Sequence, residues 1–287
     1  MTVLGVDLGG TKIAAARVNE GAEVLHSITL ETRAAEGFET SITQLHRAIE
    51  QCLTGEVSAI GIAAPGPLDP RTGVILNPPN LPGWRDIPLA ELVARRYELP
   101  CRVENDANAA GLAETLWGAA RGCRHVFYAT LSTGIGSGII LDGKIYHGAH
   151  GAAGEGGHVT IDWRSSAICN CGTPGCIEAL ASGTAIARRG RRPEDLVAGD
   201  PLLEEICRML AAWLGSVISL LDPEIIVIGG GVSKIGGPLF ARLHDLVPGR
   251  TINQFAARTP IVPAELGDHA GLLGAAAVVL QSLKTGP

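Results

Sequence analysis

One pattern that occurs twice limits what this chain can fold into. Val3 to Leu8 reads as a strand that runs through Asp7-Leu8-Gly9-Gly10-Thr11-Lys12 into a second strand, Ile13 to Val18. Val126 to Leu131 opens the same order again, ending in Ser132-Thr133-Gly134-Ile135-Gly136-Ser137-Gly138. Two apolar runs joined by a short Gly-containing turn predict a hairpin. Helix–strand units follow each hairpin. In the first half these are a helix over Thr40–Leu53, a buried strand over Ala59–Ala64, a proline-started helix over Pro88–Tyr97, a short strand over Cys101–Glu104 and an Ala-rich helix over Ala107–Trp117. In the second half, Ile139–Leu141 and Lys144–Tyr146 flank the hairpin turn Asp142-Gly143, ahead of a long amphipathic helix over Leu202–Leu221, a strand over Glu224–Ile228 and a final helix over His269–Leu283. The repetition predicts an α/β fold of two domains, each with a mixed sheet, separated by a cleft and hinged near residues 106–120.

Composition removes several function classes. With 287 residues, 46% hydrophobic and 18% charged, the chain has enough apolar surface to offset its ordering entropy, which excludes a disordered protein. A net charge of -6 lacks the basic excess of a nucleic-acid surface. No stretch reaches the roughly 18 apolar residues of a membrane span. Met1 leads at once into strand-like sequence without a basic leader, and seven cysteines make a poor disulfide framework, so a cytoplasmic protein is expected. The 38 glycines, roughly twice ordinary usage, imply tight turns and close backbone approaches to a ligand.

Glycines at a hairpin tip let backbone N–H groups face a phosphate at short range, and Thr11 adds a hydroxyl, while Asp7 is placed to hold Mg²⁺ through water. Ser132-Thr133-Gly134-Ile135-Gly136 repeats the device, and Gly229-Gly230-Gly231 after a buried strand supplies a third loop, suited to a nucleoside. Gly138 to Lys144 matches most of a phosphate-binding GxxxxGK loop, but Ile145 stands where a hydroxyl is needed. Cys169-Asn170-Cys171-Gly172-Thr173-Pro174-Gly175-Cys176, with His158 upstream, offers three thiols and one imidazole, the donor set of a closed structural zinc site. Glu155 and Glu178 beside it would become rigid acceptors for the hydroxyls of a polar substrate. Asn105-Asp106 stands where a helix begins. An Asp there can be an N-cap, a catalytic base, or both, since the helix dipole keeps the carboxylate ionised and phosphoryl transfer demands mainly positioning.

These stretches, with Pro65-Gly66-Pro67, Glu104-Asn105-Asp106-Ala107-Asn108 and Glu155-x-Gly-His158, occur in the order found in sugar kinases of the ROK family. The chain resembles that family nearly end to end, and its bacterial glucokinases most. The resemblance implies an actin-like ATPase (ribonuclease H-like) fold whose C-terminal helix crosses back to the first domain. The domains are then 1–108 plus 269–287, and 109–268. It implies that Asp106 takes the proton of a hexose 6-hydroxyl and that Asn80, Asn105, Glu155, His158 and Glu178 contact the sugar. Phosphate and nucleoside contacts fall to Asp7, Gly9, Gly10, Thr11, Lys12, Thr133, Gly134, Gly230 and Gly231, and zinc to His158, Cys169, Cys171 and Cys176. It further implies ATP with Mg²⁺, a structural Zn²⁺, no nucleic-acid or membrane partner, and a homo-oligomer, dimer or tetramer. Glucose is the expected sugar, with N-acetylmannosamine, N-acetylglucosamine, mannose and fructose as alternatives. Sugar-sensing regulators of the family carry an additional DNA-binding domain, for which the phosphate loop at Asp7 leaves no room. The segment after Gly183, with Arg188 to Arg192, is shorter than in many members, and its basic run is expected to be a solvated surface.

Overall fold

Both hairpins are present, and each seeds a five-stranded sheet. The computed structural model describes residues 1–285. The chain opens with β1 (Thr2–Leu8), β2 (Lys12–Asn19), β3 (Val24–Glu31), α1 (Phe38–Cys52), β4 (Val57–Ala64), two-residue strands β5 (Leu68–Asp69) and β6 (Val74–Ile75), α2 (Leu89–Tyr97), β7 (Cys101–Asn105) and α3 (Asp106–Trp117). Next come β8 (Val126–Leu131), β9 (Ile135–Leu141), β10 (Lys144–Ile145), α4 (Ile177–Ala181), α5 (Gly183–Ala187), α6 (Pro201–Leu221), β11 (Ile225–Gly229), α7 (Gly237–Leu246) and β12 (Ile261–Pro263), and the chain ends in α8 (Ala270–Thr285). The two large sheets have the orders β3-β2-β1-β4-β7 and β10-β9-β8-β11-β12. In each, the hairpin strands pair antiparallel and the later strands add in parallel, so the duplication read from sequence is a duplication of topology.

Two units divide the chain. Met1–Trp117, His147–Gly151 and the segment from Asp268 onward make the first; Gly118–Tyr146 and Ala152–Gly267 make the second. The boundary therefore falls at Trp117 rather than after Asn108, because α3 packs along α8. A Cβ added at Gly274 of α8 would lie 2.4 Å from the Ala109 carbonyl carbon, so the two helices meet backbone to backbone and α3 stays whole in the first unit. The return of 147–151 to the first unit is not foreseen in the sequence.

The period-2 alternation of a strand explains how the first sheet takes helices on both faces. Ile60 and Ile62 of β4 join Leu4, Val6 and Leu8 of β1 in a core with Leu45 and Ile49 of α1. The intervening positions are small: Ala63 clusters with Ala109 and Ala275, and a Cβ on Gly61 would sit 1.9 Å from the Ala275 carbonyl oxygen. In the second unit, Phe127, Leu131, Ile226 and Ile228 of the sheet pack against Ile206, Leu210, Trp213 and Leu214 of α6. Phe127 and Trp213 meet edge to face with centroids 5.5 Å apart.

Several elements differ from the sequence reading. β9 begins at Ile135, so Gly136, Ser137 and Gly138 belong to a strand and the second glycine loop shortens to residues 132–134. β3 is not foreseen in the sequence: it is a largely exposed edge strand that packs only Ile28 and Leu30 against the core. β12 is three residues long, and α7 starts at Gly-Pro, which masks its helical period. Asp142 (φ 54°) and Gly143 (φ 72°) make the expected tight turn between β9 and β10. The Arg188–Arg192 segment is solvated and ion-paired through Arg189–Glu205, Arg191–Asp200 and Arg192–Asp195, contacts of the kind that contribute little to stability.

Gly61→Ala is expected to lower unfolding free energy by about 3 kcal/mol, since its methyl group meets immovable backbone. Gly55→Ala, at a position with open space around it, should change little. Urea titrations of the two variants make the comparison.

Candidate functional site

In the first unit, the β1–β2 tip is closed by the Gly9 N–H on the Lys12 carbonyl at 2.9 Å, in register with Leu8 opposite Ile13. The fully buried Thr32 clamps it from outside: its hydroxyl donates to the Gly9 carbonyl at 2.6 Å, and its N–H to that of Thr11 at 3.0 Å. Thr32 carries no motif and is missed by sequence reasoning. Thr11 and Lys12 are exposed at the tip. A Cβ on Gly10 would sit 2.6 Å from the Asn80 carbonyl oxygen, so Asn80, expected among the sugar contacts, lies against this loop. The Asn80 segment is anchored by buried Leu81 and by Trp84, whose Nε1 donates to Ser41 Oγ at 2.7 Å. Asp7 lies beside the start of α8, where a Cβ on Gly271 would stand 2.7 Å from its Oδ2. Burial pushes the Asp7 carboxyl above its usual range, against the pull of nearby Lys12.

At the start of α3, Asn105 and Asp106 share the first-turn amides. Asn105 makes the cap, its Oδ1 accepting from the backbone N–H of Ala107 at 2.9 Å and of Asn108 at 3.2 Å. Asp106 is the first helical residue, with Oδ1 accepting from the Ala107 N–H at 2.7 Å. Glu104, quoted in the motif but given no role, is only 3% exposed. Its Oε1 accepts from the Asn105 N–H (2.9 Å) and from Asn108 Nδ2 (3.0 Å), and its Oε2 lies 2.7 Å from His147 Nε2. The usable signal was a carboxylate in a short strand immediately before the Asn105-Asp106 pair.

The second unit gathers the remaining candidates. Loop 132–134 is held by the Ser132 N–H on the Gly134 carbonyl (2.9 Å), the Gly183 N–H on the Ser132 carbonyl (2.7 Å) and the Thr184 N–H on the Thr133 carbonyl (3.2 Å). Gly230, at φ 86°, adjoins the same loop: a Cβ there would lie 2.4 Å from the Leu131 carbonyl oxygen, and Gly231 follows in open space. Glu178, in the first turn of α4, accepts from the Ile135 N–H through Oε2 at 2.9 Å and lies 3.4 Å from Cys169 Sγ through Oε1. Each carboxylate oxygen has a second lone pair, so both bonds leave acceptor capacity for a hydroxyl. The loop carrying Glu155 is tied by buried Ser137, another residue the sequence did not flag, which donates to the Gly154 carbonyl at 2.7 Å and accepts from the Gly156 N–H at 3.2 Å.

His158, Cys169, Cys171 and Cys176 present ligand atoms that all lie within 4.8 Å of one another. Cys171 and Cys176 Sγ are 3.7 Å apart, and Cys169 Sγ is 3.4 Å from His158 Nδ1. A tetrahedral zinc with Zn–S near 2.3 Å requires an S···S edge of about 3.8 Å, so the four donors fit that ion. Burial raises the thiols of Cys169 and Cys176, while hydrogen bonding from the Thr173 backbone lowers that of exposed Cys171 to about 7. With Nδ1 turned to the thiols, His158 Nε2 lies 3.8 Å from Glu155 Oε2. All four expected ligands and both glutamates thus come together in one unit.

The sequence profile described as "ROK family" matches residues 3–282. The chain belongs to the ROK family. A glucokinase of Thermotoga maritima is 34% identical over 313 aligned residues, which span 99% of this chain and 98% of that one. Among solved structures, the ROK hexokinase from Thermus thermophilus has a TM-score of 0.87 at 37% identity, covering 100% of both chains. The ROK-family glucokinase from Streptomyces griseus, in complex with glucose and AMPPNP, has a TM-score of 0.82 at 32% identity, covering 98% of this chain and 100% of its own. The two α/β units are accordingly the two domains of the actin-like ATPase fold shared by ROK hexokinases. Among the described residues, no helix is long and apolar enough to cross a membrane.

In this ROK protein, a Cβ on Gly134 would lie 2.5 Å from Glu178 Oε2. Gly134→Ala should therefore displace the glutamate from the Ile135 N–H and cost about 1–3 kcal/mol. Most of that cost should vanish in a Glu178→Ala background. A double-mutant cycle in urea reads the coupling.

Proposed function

We propose that the chain is an ATP-dependent hexose kinase that transfers the terminal phosphoryl group of ATP to the 6-hydroxyl of glucose. The placement of Asp106 at the start of α3 carries the reading. Asn105 accepts from two first-turn amides and Asp106 shares one of them, so the helix start holds the Asp106 side chain in place. The O6–H bond breaks as oxygen attacks the γ-phosphorus, the proton passes to the Asp106 carboxylate, and ADP leaves. Helix-terminus placement keeps Asp106 ionised, and the loose transition state needs alignment more than base strength.

In this reading Asn80, Asn105, Glu155, His158 and Glu178 receive the sugar hydroxyls. Asp7 to Lys12 and the Thr133-Gly134 loop hold phosphates, and Gly230-Gly231 gives the nucleoside a close approach. Asp7 would hold Mg²⁺, which supplies charge neutralisation on the phosphates. His158 Nδ1 with Cys169, Cys171 and Cys176 would hold Zn²⁺ as a structural cross-link, leaving His158 Nε2 for a hydroxyl. The choice of glucose is supported by the glucokinases among the relatives. A cytoplasmic homo-oligomer without nucleic-acid partner completes the proposal, supported by free cysteines at all seven positions and the net charge of -6.

A coupled assay with Mg-ATP across glucose, mannose, fructose and the two N-acetylated amino sugars is expected to favour glucose; turnover mainly on an amino sugar rejects that choice. Asp106→Asn should lower kcat by about 10³-fold while glucose binding by calorimetry persists. Elemental analysis should find about one zinc per chain, and Cys171→Ser should lose both the metal and several degrees of melting temperature. A metal-free wild type would refute the zinc assignment.

A further inference from the structure

Glu104 meets three polar groups through its two carboxylate oxygens. It occupies β7 two residues before Asp106, and its side chain is 4% exposed. One oxygen holds the Asn105 N–H and the Asn108 amide, which lie on either side of Asp106 in sequence. The other meets His147 Nε2 at 2.7 Å, with the His147 side chain 33% exposed. A buried carboxylate is tolerated only when its lone pairs and charge are met, and His147 is the basic side chain that meets this one.

The origin of His147 sharpens the point. It begins a five-residue passage, His147–Gly151, in which the chain leaves the second unit, joins the first and departs again. At the far end of that passage a Cβ on Gly151 would stand 3.0 Å from Pro70 Cδ, so the segment is seated at both ends. Four residues beyond it comes Glu155.

We propose that Glu104 and His147 form a positioning pair: the His147 N–H locks the Glu104 carboxylate in the rotamer that fixes Asn105 and Asn108, and through them the reach of Asp106. The proposal rests on the kinase reading above. His147 acts by donation, so a neutral donor of equal reach can replace it. Glu104 and Asp69 of β5 are the acidic groups that face the imidazole, and the bond to Glu104 raises His147 above its ordinary range in spite of burial. Where the carboxylate is ionised, the charged pair is present with the ring protonated, and its charge is lost as pH rises through that raised value, while the neutral ring keeps the Nε2–H and the hydrogen bond.

His147→Leu should lower kcat about 10-fold or more, with KM for ATP within about 2-fold, because misalignment penalises the transition state alone. His147→Gln, whose Nε2 reaches a similar point, should recover kcat to within about 3-fold. In Glu104→Gln, the His147 ring followed by NMR should titrate at lower pH than in the wild type. Undiminished kcat in His147→Leu, failure of His147→Gln to rescue in a protein that melts like the wild type, or an unmoved ring titration would each overturn the pair. Failure of the kinase reading looks different: a wild-type chain inactive on every hexose, in which the ring titration still moves.

Discussion

The first unit depends on a helix laid on a sheet at the limit of backbone contact. α8 comes from the far end of the chain and lies so close to β4 that Gly61 has no room for a methyl group. Two further glycines one turn apart, Gly271 and Gly274, share a face of α8 by their i, i+3 spacing. The first gives room to the Asp7 carboxylate, and the second lets the backbone of Ala109 and Ala110 approach. One helix thus sets the position of the acid at the end of β1 and of the helix that Asp106 opens. Any residue with a Cβ at these glycines pushes the two acids by separate amounts. This is why the small-residue composition of α8 matters more than its hydrophobicity.

Two carboxylates serve the site by being occupied. Glu178 takes the Ile135 amide at the start of β9 and reaches Cys169, tying the end of loop 132–134 to the thiol cluster. Glu104 takes the Asn105 amide at the end of β7 and the Asn108 side chain in the first turn of α3. In both, an acid holds the backbone N–H of a strand's terminal residue, where the ladder meets a loop or a helix. Charge-assisted bonds to backbone N–H are short and directional, so they fix a loop more firmly than neutral side chains do. Such a brace costs desolvation, which the surrounding donors offset only if all are in place.

Much of this was legible in the sequence, and the boundary of legibility has a physical cause. Strands buried on both faces, such as β4 and β11, announce themselves by apolar runs, and Asp142-Gly143 announces its turn by the need for two left-handed residues. The thiol cluster was readable because its ligands lie close in sequence. β3 was not, since only Ile28 and Leu30 of this edge strand reach the core. Thr32, Ser137 and His147 were missed for another reason. Each acts through hydrogen bonds to partners between 17 and 43 residues away, and nothing local distinguishes such a residue from an ordinary polar one. Asn105 was read as part of the helix start, but only its bonds show that it holds two first-turn amides, one of them shared with Asp106.

That placement bears on how a weak base can suffice. A carboxylate at a helix N-terminus is stabilised as the anion, which lowers its basicity and would handicap proton abstraction from a poorly activated alcohol. In a loose phosphoryl transfer the nucleophile has lost little of its proton when the bond to the leaving group is already broken, so the base is asked for alignment first. Alignment is what the start of α3 supplies. Asn105 holds the first-turn amides, Glu104 holds Asn105, and α8 holds the helix behind them. In the kinase reading Asp106 is asked only to be aligned and still, and this arrangement supplies both.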